Sequence, residues 1–263
     1  MIIKKTSEQI EMMAAAGSIL TACHRELHKL IRPGISTKEI DRFVDDFIQS
    51  HGAKAEQKGY KGYPFAICAS VNDEICHGFP TRTPLHEGDI VTIDMVVNLH
   101  GWMADSAWSY PVGQVSEQAE KLLKVTKECL YRGIDEAVIG NRLGDISHAI
   151  QVQAESHGYS VVREFTGHGI GNKMHEEPHV LHYGNPHTGL QLCEGMVFTI
   201  EPMLNLGSYK LTIDENGWTA RTADGSLSAQ YEHTIAITKN GPLVLTEQRG
   251  VDSFIDMYTS IMK

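Results

Sequence analysis

Apolar positions recur at helical spacing through the N-terminal part of the chain. Ile10, Met13, Ala14 and Ile19-Leu20 share one face, the i, i+3, i+4 pattern of an amphipathic helix, and the run continues to Leu30-Ile31. Thr6 and Gln9 precede it at capping-box spacing. Pro33-Gly34 then breaks the pattern, and Ser36-Thr37-Lys38-Glu39 opens a second helix predicted to end at His51-Gly52. A third helix is predicted to begin near Ser116 and a fourth to run from about Gly144 to His157-Gly158. Short apolar runs at 64–71 and 89–97 predict strands. Beyond residue 160, strand patterns cluster at 161–165, 196–203, 209–213, 218–222 and 229–238. No low-complexity tract or Pro- or Ser-rich linker interrupts the chain, so residues 1–263 are expected to form one compact α+β domain.

An internal repeat sharpens this expectation. Residues 87–99 read EGDIVTIDMVVNL and residues 194–206 read EGMVFTIEPMLNL, with six of thirteen pairs identical. Asp94 falls opposite Glu201, an offset of 201 − 94 = 107. Upstream, Gly34 pairs with Gly140, Ile40 with Ile146, and Ser50-His51-Gly52 with Ser156-His157-Gly158, all at an offset of 106. A duplicated helix–helix–strand unit follows, with halves of roughly 1–113 and 114–246 and with Asp94 and Glu201 near a pseudo-twofold axis.

Composition excludes several function classes. The chain has 23 basic and 33 acidic side chains, a net charge of −10, so it lacks the basic surplus that neutralises nucleic-acid phosphates. No run of eighteen apolar residues is present to span a membrane, and no apolar signal core follows Lys4-Lys5. The five cysteines are odd in number and contain no C-x-x-C pair, which argues against a disulfide scaffold or structural zinc site and favours a reducing cytoplasm. Fourteen histidines are many for 263 residues and direct attention to metal or proton chemistry.

Four carboxylates stand out. Asp94 lies within Ile90-Val91-Thr92-Ile93-Asp94-Met95-Val96-Val97, a run apolar on both faces and therefore expected to be buried. Glu201 and Glu232 sit in similar surroundings, and Asp105 is expected to open a return strand ending near Tyr110. The repeat groups them as Asp94/Glu201 and Asp105/Glu232. Four clustered carboxylates cannot all stay ionised without positive charge beside them, and no Lys or Arg lies in these strands. Two divalent cations would neutralise them; the alternative is separate acids bonded to backbone amides. The stretch Phe165-Thr166-Gly167-His168-Gly169-Ile170-Gly171 lacks the spacing of a dinucleotide loop. It offers His168 as a nitrogen ligand, and a carboxylate-plus-histidine set favours Mn, Fe, Co or Zn over Ca or Mg. No G-x-S-x-G elbow occurs, and Cys76-His77 are neighbours that strand geometry points to opposite faces. His77 and His175 remain uncommitted, each either a surface residue or a participant.

The segments CHGFP, TIDMVV, ADSAWSYPVG, EFTGHGIG with MHEEPHVLHYG, GMVFTIEPM and SAQYEHTIAIT resemble those of type I methionine aminopeptidases, from the first helix to about residue 246. The resemblance implies the duplicated pita-bread fold, α+β with a central antiparallel sheet covered by helices. It implies a cytoplasmic, monomeric, dinuclear hydrolase that removes the initiator methionine from nascent polypeptide N-termini when the next residue is small. Asp94, Asp105, His168, Glu201 and Glu232 would be metal ligands, a metal-bridging hydroxide would attack the scissile carbonyl, and Glu201 would relay its proton to the leaving amine. His175 would steady the oxyanion and His77 the departing nitrogen. Tyr60, Tyr63, Cys68 and Trp218 would receive the methionine side chain, and Asn72, Glu74 and Ser228 would hold a monovalent cation. Many members carry cysteine where Gln57 stands, histidine where Lys61 stands and an aromatic residue where Met174 stands. These differences are expected to line the substrate entrance, to alter specificity and to leave the metal chemistry alone. Two rivals are a proline-specific aminopeptidase or dipeptidase of the same fold and a non-catalytic binding module.

Overall fold

The computed structural model describes residues 2–247; Met1 and residues 248–263 of the expected domain lie outside the described residues. Helix α1 spans Ser7–Leu30, and its start is fixed by a reciprocal cap: Gln9 N donates to Thr6 Oγ1 and Thr6 N to the Gln9 side chain. Ser36 and Glu39 cap α2 (Thr37–Ser50) in the same way. Ser116 caps α3 (Glu117–Asp135), and the Asp145 carboxylate closes the first turn of α4 (Leu143–Ser156) onto Arg142 N.

Strands of the first half are β1 (Lys54–Ala55), β2 (Cys68–Val71), β3 (Glu74–Cys76), β4 (Ile90–Leu99) and β5 (Trp102–Pro111). The second half contributes β6 (Ser160–Val161), β7 (Gly167–Gly169), β8 (Glu176–Val180), β9 (Val197–Ile200), β10 (Met203–Asn205), β11 (Leu211–Ile213), β12 (Ala220–Thr222), β13 (Ser228–Gln230), β14 (His233–Thr238) and β15 (Gly241–Val244). In the first half β4 pairs with β1, β2 and β5. In the second, one sheet runs β15-β14-β9-β7-β8 and another β13-β10-β6, while a third, β11-β12-β3, joins the two halves. Every strand pair is antiparallel. The helices pack on this sheet system through a continuous core containing Leu20, Leu27, Ile93, Met95, Tyr110 and Phe198.

The same hydrogen bonds recur at the offsets read from the sequence. Gly34 N donates to Leu85 O and Gly140 N to Leu192 O; Glu56 N donates to Val96 O and Val162 N to Met203 O. Likewise Lys54 pairs with Asn98 and Ser160 with Asn205.

Three expectations need correction. Asp105 does not open its strand: β5 begins at Trp102, after a two-residue turn in which His100 and Gly101 both have positive φ, 53° and 88°. Such turns favour Asn-Gly or Asp-Gly, and the histidine hid this one. The predicted strand 196–203 divides at Glu201-Pro202, where proline has no N–H for a ladder, and 229–238 divides at Tyr231-Glu232. Both glutamates therefore sit in strand breaks. Finally, the runs at 64–71 and 161–165 shorten to 68–71 and 160–161.

Candidate metal centre

The β4–β5 ladder sets the first pair of carboxylates. Asp94 is opposite Ala107, and Asp105 is opposite Val96, so the two aspartates are diagonal neighbours on one face, within reach of each other. The other half is fastened to the same spot. Asp105 N donates to Thr234 Oγ1, Thr234 Oγ1 donates back to Asp105 O, and Glu232 N donates to Ala107 O at 2.8 Å. These bonds put Glu232 beside Asp105.

His168 comes from β7, where glycines let backbones touch. A Cβ on Gly167 would lie 2.3 Å from Thr199 O, and one on Gly169 2.2 Å from Glu177 O, so the glycine-rich motif serves close approach. His168 Nδ1 faces the Gly169 carbonyl at 3.0 Å, which orients Nε2 toward Asp105 Oδ2 at 3.6 Å and Glu201 Oε1 at 3.8 Å. Thr199 organises both partners: its hydroxyl accepts from His168 N and donates to Glu201 Oε1 at 2.7 Å. Gln230 Nε2 donates to Glu201 Oε2, and His182 Nε2 accepts from Glu201 N. Thr199, Gln230 and His182 had no signal in the sequence.

Electrostatics favour cations here. Burial first, then the charges of Asp105 and Glu201, raise the Asp94 carboxyl well above its usual range, and Glu232 is raised for the same reasons. Burial pushes Glu201 up to about 7, although His168 opposes it. Burial disfavours charge on His168, but the Asp105 hydrogen bond and the Glu201 charge outweigh it and hold the imidazole at about 9. Asp105 Oδ1 and Glu232 Oε1 are buried without a hydrogen-bond partner, a costly condition. One ligand atom from each of Asp105, His168 and Glu232 lies within 4.8 Å of the others. A divalent cation fits this oxygen-rich, partnerless donor set.

The raised values predict a pH dependence of the metal-free protein. A group whose pKa is higher folded than unfolded stabilises the fold below its unfolded pKa and loses that contribution as pH rises through the folded value. Buried His24, His182 and His233, held near 3 by burial, act oppositely and are neutral in both states above about pH 6.5. Between pH 7 and 9 the acids and His168 therefore dominate. The Tm of chelated protein should fall across that window, and added Mn2+ should raise Tm more at pH 9 than at pH 7. A flat difference by calorimetry would contradict this assignment.

A cleft of about 290 Å³ opens over the cluster. It is lined by Asp94, Asp105, Glu201, Glu232 and His168, by His77, His175 and Glu164, and by Tyr60, Tyr63, Cys68, Met174 and Trp218. His175 lies beside His168, ring centroids 4.2 Å apart and planes tilted by 52°, and its Nδ1 meets the Tyr60 hydroxyl at 2.9 Å. Desolvation in the cleft and the neighbouring His168 push His175 down to about 4, so its imidazole is neutral. His77 adopts φ 56° and packs edge-on against Phe165, with burial lowering its pKa. Tyr63 packs edge-on against Trp218 at 5.1 Å, and its hydroxyl donates to Ile67 O and Gly78 O.

Of the divergent positions, Gln57 lines the cleft as expected and also touches the acid cluster. Its Nε2 donates to Asp94 Oδ1 at 3.2 Å. Met174 is buried in an apolar cluster with Met13, Val96, Met103 and Ile170, while Lys61, at φ 46°, holds its ammonium over the Tyr60 ring. Asn72, Glu74 and Ser228 are absent from the cleft lining; Ser228 N donates to Asn72 O, and the Glu74 carboxylate is taken by Val71 N and Arg221.

Residues 11–239 match the model of metallopeptidase family M24. The chain belongs to that family. It is 50% identical over 247 residues to methionine aminopeptidase 1 of Bacillus subtilis, covering 94% of this chain and 99% of that one. The crystal structure of methionine aminopeptidase from Rickettsia prowazekii superposes with a TM-score of 0.93 at 44% identity, covering 94% of this chain and all of that one. Prolidase from Pyrococcus furiosus matches at TM-score 0.76 and 24% identity over 65% of its own length, a likeness of fold alone. The fold is thus the pita-bread fold of M24, and divalent metal use comes with the family. Among the described residues no helix is long and apolar enough to cross a membrane.

Proposed function

We propose that this chain is a metallo-aminopeptidase that removes the N-terminal methionine from polypeptides, acting as one catalytic domain, a monomer, in the cytoplasm. The observation that carries the reading is the buried acid cluster with two partnerless carboxylate oxygens beside His168, in a chain half identical to a methionine aminopeptidase.

Asp94, Asp105, His168, Glu201 and Glu232 would hold two divalent cations, of Mn, Fe, Co or Zn. Bound there, such cations supply Lewis-acid polarisation of the scissile carbonyl and activation of water at neutral pH. The protein side of the chemistry follows from the residues. Glu201, held near 7, can take a proton at its carboxylate and return it to the leaving amine. Because His175 Nδ1 faces the Tyr60 hydroxyl, its Nε2 is free to donate to the carbonyl oxygen as charge develops there. His77, across the cleft, would serve the nitrogen side. The methionine side chain would lie against Tyr60, Tyr63, Cys68 and Trp218, an unbranched apolar slot suited to a thioether. A monovalent cation on oxygens of Asn72, Glu74 and Ser228 belongs to the same reading.

Two experiments test it. Methionine should be released from Met-Gly-Met, while Xaa-Pro peptides stay intact; preferential cleavage of Xaa-Pro would overturn the assignment in favour of a prolidase. The second residue should be small, because the paired rings of His168 and His175 crowd the cleft. Met174 lacks the rigidity of an aromatic ring, so Met-Val peptides should retain measurable turnover. Met174→Phe should lower the Met-Val to Met-Ala ratio of kcat/KM by roughly tenfold, and an unchanged ratio would remove Met174 from the specificity determinants.

A further inference from the structure

One buried ion pair takes no part in the chemistry above. Lys5 Nζ donates to Glu176 Oε2 at 2.5 Å, and the two side chains are only 1% and 5% exposed. The same ammonium donates to Ile3 O at 3.1 Å, and Lys5 N donates to Gly195 O at 2.7 Å, so the arm ahead of α1 is fixed at both backbone and side chain. Gly171 makes room for the pair: a Cβ there would lie 2.4 Å from Lys5 Cε and 2.7 Å from Glu176 Oε1.

Glu176 directly follows His175 and opens β8, where it pairs with Gly169 of β7; the turn ahead of it is more exposed. Among residues 172–175 only Met174 is buried. The turn is closed by Gly171 N to Lys173 O and by Lys173 N to Glu176 Oε1, and it is tied to β5 through Met103 N to Gly171 O. A charge pair removed from water is seldom better than an apolar pair as a source of stability. Its fixed geometry, though, transmits position: Lys5 sets Glu176, and Glu176 sets the backbone on which the His175 imidazole stands.

We propose that Lys5 and Glu176 are positioning residues for His175, with the N-terminal arm holding the imidazole from its backbone while the Tyr60 hydroxyl holds its Nδ1. This rests on the oxyanion role given to His175 above. The arm is thereby a working part of the active site, although Lys5 is 171 residues from Glu176 in sequence.

The test compares the double variant Lys5→Met/Glu176→Gln with wild type, each in the presence of His175 and of His175→Ala. Removing both charges avoids leaving one buried and unpaired. The double variant should keep its metal-free Tm, its Mn2+ affinity by calorimetry and its KM for Met-Gly-Met. Its kcat should fall about tenfold when His175 is present, the scale of a slightly misplaced catalytic group, and should not fall further in the His175→Ala protein. Glu176→Asp, which keeps both charges but shortens the reach of the carboxylate, serves should the double variant not fold, with the same contrast expected. An equal drop in both backgrounds, or wild-type kcat in a folded variant, would overturn the proposal. Should His175→Ala itself leave kcat unchanged, the oxyanion role fails first and the positioning role with it, a distinguishable outcome.

Discussion

Asp105→Ala and Glu232→Ala are each expected to lower kcat/KM for Met-Gly-Met by at least ~10³-fold and to abolish tight binding of divalent metal. Lewis-acid stabilisation contributes several kcal/mol to such hydrolyses, and each 1.36 kcal/mol is tenfold in rate. Both residues leave a buried oxygen without a partner, and with His168 they offer three ligand atoms within 4.8 Å of one another. The metal-free fold should respond in the opposite direction. Burial and the Asp105 charge already raise Glu232, so removing either acid relieves carboxylate repulsion, which for Asp105→Ala is set against the loss of its contact with His168 Nε2 at 3.6 Å. Tm of chelated protein should therefore stay level or rise while activity collapses. Loss of activity accompanied by a large fall in metal-free Tm would mark these acids as structural supports instead.

His175→Ala should lower kcat by roughly 10²–10³, the worth of one oxyanion donor, with KM little changed because the contribution arises in the transition state. Metal affinity should be unaffected, since the partner of His175 is the Tyr60 hydroxyl, not a carboxylate. His77→Ala should act in the same direction but less. A His175 variant with near-normal turnover would place the imidazole among the ordinary surface histidines.

Much of this was legible in the chain because it depends on local chemistry or on duplication. Thr6/Gln9 and Ser36/Glu39 announce the first two helices, since a cap needs only side chains three residues apart. The repeat aligns Asp94 with Glu201, and the structure repeats the same backbone bonds at the same offsets. What stayed hidden depends on tertiary placement. Thr199 bridges His168 and Glu201, and Gln230 reaches Glu201 across 29 residues; neither side chain differs in sequence from an ordinary strand residue. Gln57 lines the cleft as its position in the chain suggests, but only the fold shows that its amide also reaches Asp94 Oδ1. The breaks at Glu201 and Tyr231-Glu232 were masked by apolar neighbours that continue the strand pattern through them.

The proposed release of N-terminal methionine depends on the Asp94, Asp105, His168, Glu201 and Glu232 cluster. Its most direct test is methionine release from Met-Gly-Met by protein stripped with a chelator and then titrated with Mn2+. The stripped protein should show no turnover, and activity should recover as about two equivalents bind per chain, as expected for a two-metal site. Full turnover in a rigorously metal-free preparation would contradict it.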